Sequence, residues 1–152
     1  LPRVSRMRDR GVSITVNFVL TLAITTALIS GIILAAGSLV DGTQKQTTRD
    51  GYTVAGNRVI AGLQSADRLA ASGADTVSLT VDLQEEVAGT QYTITINNSS
   101  TPATVTVSGV SNDQAVTLPL HTRTSVHAGT VKGGDVIVST DATGKLTVEA
   151  KT

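Results

Sequence analysis

The feature that most constrains this chain is an uninterrupted apolar segment from Val12 to Val40, with no charged residue between Arg10 and Asp41. Its 29 residues exceed the ~20 that an α-helix needs to cross the ~30 Å hydrocarbon layer of a bilayer. The sequence therefore predicts one transmembrane helix, with a short leader before it. The 152 residues leave room for one soluble domain after it.

The charges are distributed unevenly around this helix. Residues 1–11 carry four arginines and one aspartate, a local charge of +3, whereas the rest of the chain carries −3. Positively charged flanks stay on the cytoplasmic side of a membrane. The N-terminus is therefore predicted inside, and everything after Asp41 outside, the cell membrane.

Composition excludes several classes of function. The chain has no cysteine, so disulfides, thiolate chemistry and cysteine-bound zinc are unavailable. Its only aromatic residues are Phe18, Tyr52 and Tyr92. Because single-stranded nucleic acid is bound by stacking on aromatic side chains and by basic surfaces, the sequence predicts no nucleic-acid partner.

Helical periodicity continues past Asp41. Apolar residues recur every three or four positions, which places them on one face of a helix: Tyr52, Ala55, Val59, Leu63, Ala66 and Ala70. Four glycines weaken this extension by up to ~1 kcal/mol each, and a break or kink is predicted near Gly42 or Gly51. The helix is predicted to end at Ser72-Gly73, since glycine suits the left-handed position after a helix.

After Gly73 the apolar period changes to two, which is typical of half-buried strands. The alternating segments are 77–83, 92–96, 103–107, 116–120, 136–138 and 146–150, separated by turn signals at 97–100, 111–113, 133–134 and 142–144. Six or seven short strands favour an antiparallel sandwich or rolled sheet. The predicted fold class is α+β, with one sheet face packed on the apolar stripe of the long N-terminal helix.

Two polar or small rows run along the transmembrane helix. Small residues every four positions allow another helix to approach closely, and we expect them to form a packing face: Ala23, Ala27, Gly31 and Ala35. A second row on a different face is able to hydrogen-bond across helices: Ser13, Asn17, Thr21 and Thr25.

Motifs that would carry chemistry are weak. His121, His127 and Asp135 are residue types that bind zinc, but they form no close-spaced ligand pair. No Gly-x-Ser-x-Gly nucleophile motif occurs, and the Gly133-Gly134 turn is followed by no helix pattern that would hold a phosphate. The sequence predicts no catalytic, cofactor or metal site, and a protein that is not an enzyme.

Two overlapping Asn-x-Ser sequons lie in a predicted hairpin turn on the external side, beginning at Asn97 and Asn98. Such acceptors occupy surface loops of exported proteins. Both asparagines are therefore candidate N-glycosylation sites.

The junction of leader and helix resembles a known family. Arg10-Gly11 followed by Val12-Ser13-Ile14 and a long apolar helix is similar to the class III signal peptide of archaeal type IV pilins and pilin-like proteins. The stretches RGVSITVNFVLTLAITTALISGIILAAGSLVD, QKQTTRD and ADRLA…TVSLTVDLQEEVAGTQYTI resemble a haloarchaeal pilin-like family of unknown function. The resemblance implies cleavage after Gly11 by a prepilin peptidase, with Gly11 and Val12 as the processing site. It also implies other pilin-like subunits and membrane lipid as partners, and glycosylation of the head.

These inferences divide the chain into a basic leader (1–11), a transmembrane and assembly helix (12–40), an amphipathic extension (41–72) and an extracellular β-rich head (73–152). The resemblance implies a structural subunit of a surface filament. Many pilins carry Glu at the fifth mature position, where this chain has Val16, so a minor or accessory subunit is expected. The alternatives are an uncleaved, non-polymerising anchor whose head binds an envelope partner, and a secreted domain released after Gly37.

Overall fold

A computed structural model describes residues 5–74 and 76–151, with side chains from residue 14 onward. The chain forms two compact units, Leu1–Thr43 and Gln44–Thr152. One helix, α1, spans Ser5–Ala71. The strands are β1 Ser78–Val81, β2 Glu86–Val87, β3 Thr90–Asn97, β4 Ala103–Gly109, β5 Ala115–Leu120, β6 Gly129–Lys132, β7 Val136–Thr140 and β8 Leu146–Ala150. The predicted α+β class, with a long N-terminal helix and an antiparallel β head, is confirmed.

Helix α1 continues through Gly42 and Gly51 without interruption, so the break predicted there is wrong. A glycine costs a helix at most ~1 kcal/mol, and at Gly51 the packing of the helix against Val87 offsets that cost. The helix ends where predicted. Gly73 adopts φ +94°, and its backbone N–H donates to the carbonyl of Ala70 at 3.1 Å, as expected after a helix C-terminus.

The strands of the second unit form two antiparallel sheets that together make a half-barrel. The smaller sheet has the order β1-β7-β8. In the larger sheet β3 pairs with β4 along one edge and with both β2 and β6 along the other, and β5 continues beyond β4. A parallel bridge between Val126 and Leu146 joins the segment before β6 to β8, and so connects the two sheets.

The core of this unit lies between the sheets and residues 44–71 of α1. Five of the six residues of the predicted helical stripe are buried, and the sixth, Ala70, packs against them partly exposed. Inward-facing strand residues complete the core: Tyr92, Ile94, Ile96, Val105, Val107, Leu120, Val136, Val138 and Leu146. The helix thus supplies the apolar surface that a small head without disulfides needs.

Three helical glycines let the strands approach α1 closely. A Cβ on Gly51 would lie 2.3 Å from Val87, one on Gly56 would lie 2.7 Å from Leu118, and one on Gly62 would lie 2.5 Å from Val81. Carbon atoms in contact normally lie about 3.5–4.0 Å apart, so a side chain at any of these positions would force its neighbour to shift. These glycines, which sequence reasoning treats only as weaknesses of the helix, allow the strands to pack closely on α1.

The outward face of the larger sheet is covered by hydroxyl groups. One register row crosses four strands and consists entirely of threonine: Thr130, Thr95, Thr106 and Thr117. The hydroxyl oxygens of Thr130 and Thr95 lie 3.1 Å apart, and those of Thr106 and Thr117 lie 3.0 Å apart. Cross-strand Thr pairs of this kind stabilise a sheet on its solvated face.

Strands β2 and β6 were not predicted. β2 has only two residues, and in β6 three of four residues are exposed, so neither shows the alternation that marks a half-buried strand. Both are held by pairing with β3, which no local pattern in their own sequences encodes.

Candidate functional site

The clearest candidate functional surface is the apolar part of α1 in the first unit. Fourteen large apolar side chains between Ile14 and Val40 are exposed, with Leu34 at 76 % and Ile14 at 71 %. This helix is long and apolar enough to cross a membrane, with a mean hydropathy of 2.3 over its most apolar window, none of which is buried. An exposed apolar surface of this size marks contact with lipid or with other proteins. It is a candidate single membrane span.

The predicted small-residue row lies on this surface. Ala23, Ala27, Gly31 and Ala35 fall within the unbroken helix and are all exposed. A Cβ added to Gly31 would meet no atom within 4 Å, so nothing in the described part of the chain covers that position. The row therefore has the exposure that helix packing requires.

The predicted hydroxyl row is already partly engaged. The Thr21 hydroxyl donates to the carbonyl of Asn17, and the Thr25 hydroxyl donates to that of Thr21, both at 2.8 Å. Threonine in a helix readily makes such bonds to the preceding turn. These two hydroxyls therefore retain only acceptor capacity for a neighbouring helix. Asn17 presents an exposed side chain, whereas the side chain of Ser13 lies outside the described residues.

The predicted processing site falls in the same helix. The backbones of Gly11 and Val12 lie within α1, but the side chain of Val12, and residues 1–4 of the predicted leader, are outside the described part of the chain. Processing after Gly11 therefore stays a prediction.

In the second unit, a buried carboxylate fixes the segment between β5 and β6. Asp67 is only 7 % exposed and accepts hydrogen bonds from the backbone N–H groups of Arg123 at 3.0 Å and Thr124 at 2.8 Å. Burial by itself raises the pKa of Asp67, but the bonds from Arg123 and Thr124 outweigh it, so the net pKa lies below the ordinary value. Sequence reasoning missed this residue, since an Asp on a predicted helix face is usually solvated.

Asp67 lies at the wall of an open cleft of about 780 Å³. The cleft is bounded by the β3–β4 loop and by residues 120–126, and Asn98 and His121 are among its lining residues. Both oxygens of Asp67 are held by backbone donors, so the carboxylate serves to anchor this segment.

The two sequon asparagines differ in their surroundings. Asn97 is the last residue of β3 and lies on its outward face, and its Oδ1 accepts a bond from the N–H of Ser99 at 2.8 Å. Asn98 instead donates from Nδ2 to the carbonyl of Val126 at 3.0 Å. Both asparagines are exposed, but only the side chain of Asn98 is tied to the loop before β6.

The histidines do not meet the carboxylate considered with them in the sequence. His121 and His127 lie in the connection between β5 and β6, not on one continuous strand. Nε2 of His127 lies 3.3 Å from Oδ2 of Asp141. Asp135 instead lies near Lys151, with 3.5 Å between Oδ2 and Nζ, and its Oδ1 accepts a hydrogen bond from the N–H of Leu83. Thr143 and Lys145 donate to the Asp141 carboxylate and lower its pKa, so this aspartate caps a turn.

Both tyrosines of the chain meet in the core. The rings of Tyr52 and Tyr92 lie 5.8 Å apart, and the Tyr92 hydroxyl donates to the carbonyl of Gln84 at 2.6 Å. Burial raises the pKa of Tyr92. The sequence placed both residues in the core but gave no indication that they touch.

The fold and the exposed helix define a class of protein: one candidate membrane-spanning helix whose C-terminal part belongs to the core of an antiparallel β head. Within that class the chain belongs to DUF7266, a family of unknown function, whose profile matches residues 7–151. No curated protein and no solved structure matches the chain significantly.

Proposed function

We propose that this protein is a structural subunit, minor or accessory, of a type IV pilus-like surface assembly. It is inserted with its N-terminus inside, cut after Gly11, and held in the membrane by residues 12–40 until assembly. The head is extracellular. The observation that carries the proposal is the uncovered apolar surface of α1 between Ile14 and Val40, which requires lipid or a neighbouring helix around it.

The helix-packing row supports assembly through this surface. In lipid, apolar side chains provide no drive for helices to associate, so close approach along small residues becomes the main source of attraction. Ala23, Ala27, Gly31 and Ala35 supply that approach on an exposed side of α1. The partner in this proposal is the same helix of another pilin-like subunit.

A plain membrane anchor is the second candidate function, and one observation favours it. Among the described residues, the buried hydrophobic cluster begins at Tyr52, so the head does not draw its core from residues 14–40. A head with its own core is able to act alone, bound to an envelope partner. The two candidates share the membrane helix and differ in cleavage and self-association.

The first test is the N-terminal residue of the protein recovered from membranes and from sheared surface fractions, measured by intact mass. The pilin-like proposal expects a start at Val12, lost in Gly11→Val. Gly37→Val is the matched control, because it places the same side chain at a helical glycine where an added Cβ meets no atom within 4 Å. An unprocessed chain, or processing that survives Gly11→Val, overturns the pilin-like proposal, and a start at Ser38 indicates a released domain.

Self-association is tested by disulfide formation, since the chain has no cysteine of its own. Ala27→Cys lies on the small-residue row, and Ile29→Cys lies about 200° around the helix, at 100° per residue. Disulfides form only when the two Cβ atoms come within about 4.5 Å. We expect crosslinked dimers from Ala27→Cys in native membranes and few from Ile29→Cys. Equal yields at both positions contradict a specific packing face.

A further inference from the structure

We infer that Asn97 is the N-glycan acceptor of this protein and that Asn98, although it begins an equally valid sequon, is a structural residue. The inference rests on the proposed extracellular location of the head. The two asparagines are adjacent in sequence, so only their different environments in the fold separate them.

The direction of each side chain is the first distinction. Residues of β3 alternate, with Tyr92, Ile94 and Ile96 buried, so Asn97 lies on the opposite, outward face. A glycan attached there extends into solvent beside the threonine-covered surface. Asn98 is exposed as well, but it lines the cleft next to residues 120–126, where a glycan would have to share space with that segment.

The availability of the reacting nitrogen is the second distinction. Nδ2 of Asn98 donates to the carbonyl of Val126 at 3.0 Å, and Val126 is buried and bridges to Leu146 of the other sheet. This bond holds the β3–β4 loop against the segment before β6. Within the described part of the chain, Nδ2 of Asn97 has no hydrogen-bond partner.

The third distinction is the conformation of the sequon. Oδ1 of Asn97 accepts the N–H of Ser99, the third sequon residue, at 2.8 Å, which forms an Asx turn. A hydrogen bond to the amide oxygen withdraws electron density from Nδ2 and makes its protons easier to remove. In the second sequon, the hydroxyl of Ser100 instead donates to the carbonyl of Pro102 at 2.9 Å.

The reaction transfers a glycan from a lipid-linked sugar phosphate, catalysed by a membrane-bound transferase. Nδ2 of Asn97 forms a bond to C1 of the first sugar, and the bond between C1 and the phosphate oxygen breaks. The lipid phosphate leaves with the electron pair, and the proton lost from Nδ2 passes to a base of the transferase. No oxidation or reduction takes place.

Two serine variants separate the sequons without changing either asparagine. Ser99→Ala destroys the sequon of Asn97 and leaves Asn98-Ala-Ser100 intact, whereas Ser100→Ala destroys only that of Asn98. The full-length protein is isolated from its native cells, and its intact mass and glycopeptides are measured with the sugar still attached. We expect a glycan on Asn97 in the wild type and in Ser100→Ala, and its loss in Ser99→Ala and Asn97→Gln.

A membrane-impermeant amine reagent, applied to intact cells, reports separately on the location of the head. A labelled head without a glycan, or with a glycan that survives Ser99→Ala or disappears in Ser100→Ala, overturns the assignment of Asn97 and leaves the proposed function standing. A head that the reagent does not reach overturns both. Asn98→Gln keeps the first sequon, so it should retain the glycan while lowering the melting temperature through loss of the bond to Val126.

Discussion

The close approach of β1 to α1 makes Gly62 a sensitive test of the packing. A Cβ at this position would lie 2.5 Å from Cγ2 of Val81 and 3.6 Å from Cγ2 of Val138. Valine has few accessible χ1 rotamers, so relief requires β1 to move. We expect overpacking to cost about 1–3 kcal/mol, against a gain in helix propensity of up to about 1 kcal/mol for Gly→Ala.

Gly62→Ala should therefore lower the free energy of unfolding by up to about 2 kcal/mol, roughly 4 °C in melting temperature per kcal/mol for a head of this size. The neighbouring Ala61 is exposed, so Ala61→Gly measures the propensity contribution alone and serves as the matched control. The double variant Gly62→Ala/Val81→Ala removes the side chain that the new Cβ would meet. Its loss of unfolding free energy should therefore be smaller than the sum of the losses in the two single variants.

Thermal unfolding of the full chain in detergent, followed by tyrosine fluorescence, provides the assay. Both tyrosines, Tyr52 and Tyr92, are in the head core and the chain has no tryptophan, so the signal reports on the head. A melting temperature that rises in Gly62→Ala by as much as it falls in Ala61→Gly would refute the close contact. Additive effects of Gly62→Ala and Val81→Ala would do the same.

The remaining predictions concern the head. Asp67→Asn should cost about 1–3 kcal/mol, because a buried charge-assisted interaction is weakened, while Asp50→Asn, at an exposed position, serves as control. Because folding lowers the pKa of Asp67, the stability that the ionised carboxylate adds to the fold is complete above the ordinary pKa of 3.8. This stability is lost as the pH falls through the folded-state pKa. The melting temperatures of wild type and Asp67→Asn should therefore converge at that low pH. Ala88 adopts φ +52° before Gly89 in the β2–β3 turn, so Ala88→Gly should stabilise by about 0.5–1 kcal/mol in the same melt, and Gly89→Ala should destabilise.

Much of the fold could be predicted because it is encoded by local periodicity. The stripe from Tyr52 to Ala70 repeats at the helical period and is buried as predicted, and the alternation in β3, β4 and β7 identifies strands with buried inner faces. The candidate span is likewise defined by local composition, through the charge asymmetry and the apolar run from Val12 to Val40.

Other features depend on residues distant in sequence. β6 becomes a strand by pairing with β3, more than thirty residues away, and Asp67 is buried because the segment after β5 returns to the helix. Likewise, Asn97 and Asn98 form equivalent sequons in the sequence. In the fold they differ, in part because the loop before β6 brings the carbonyl of Val126 to Asn98.

The sequence by itself therefore determined the apolar helix, the buried face of its extension and the alternating strands, because each depends on a period of two or 3.6 residues along the chain. The tertiary structure decided which strands pair and which of the two sequon asparagines is hydrogen-bonded to a distant segment. It also showed that strands approach α1 closely at Gly51, Gly56 and Gly62. Such properties arise from distances between segments that folding brings together, and no local pattern specifies those distances.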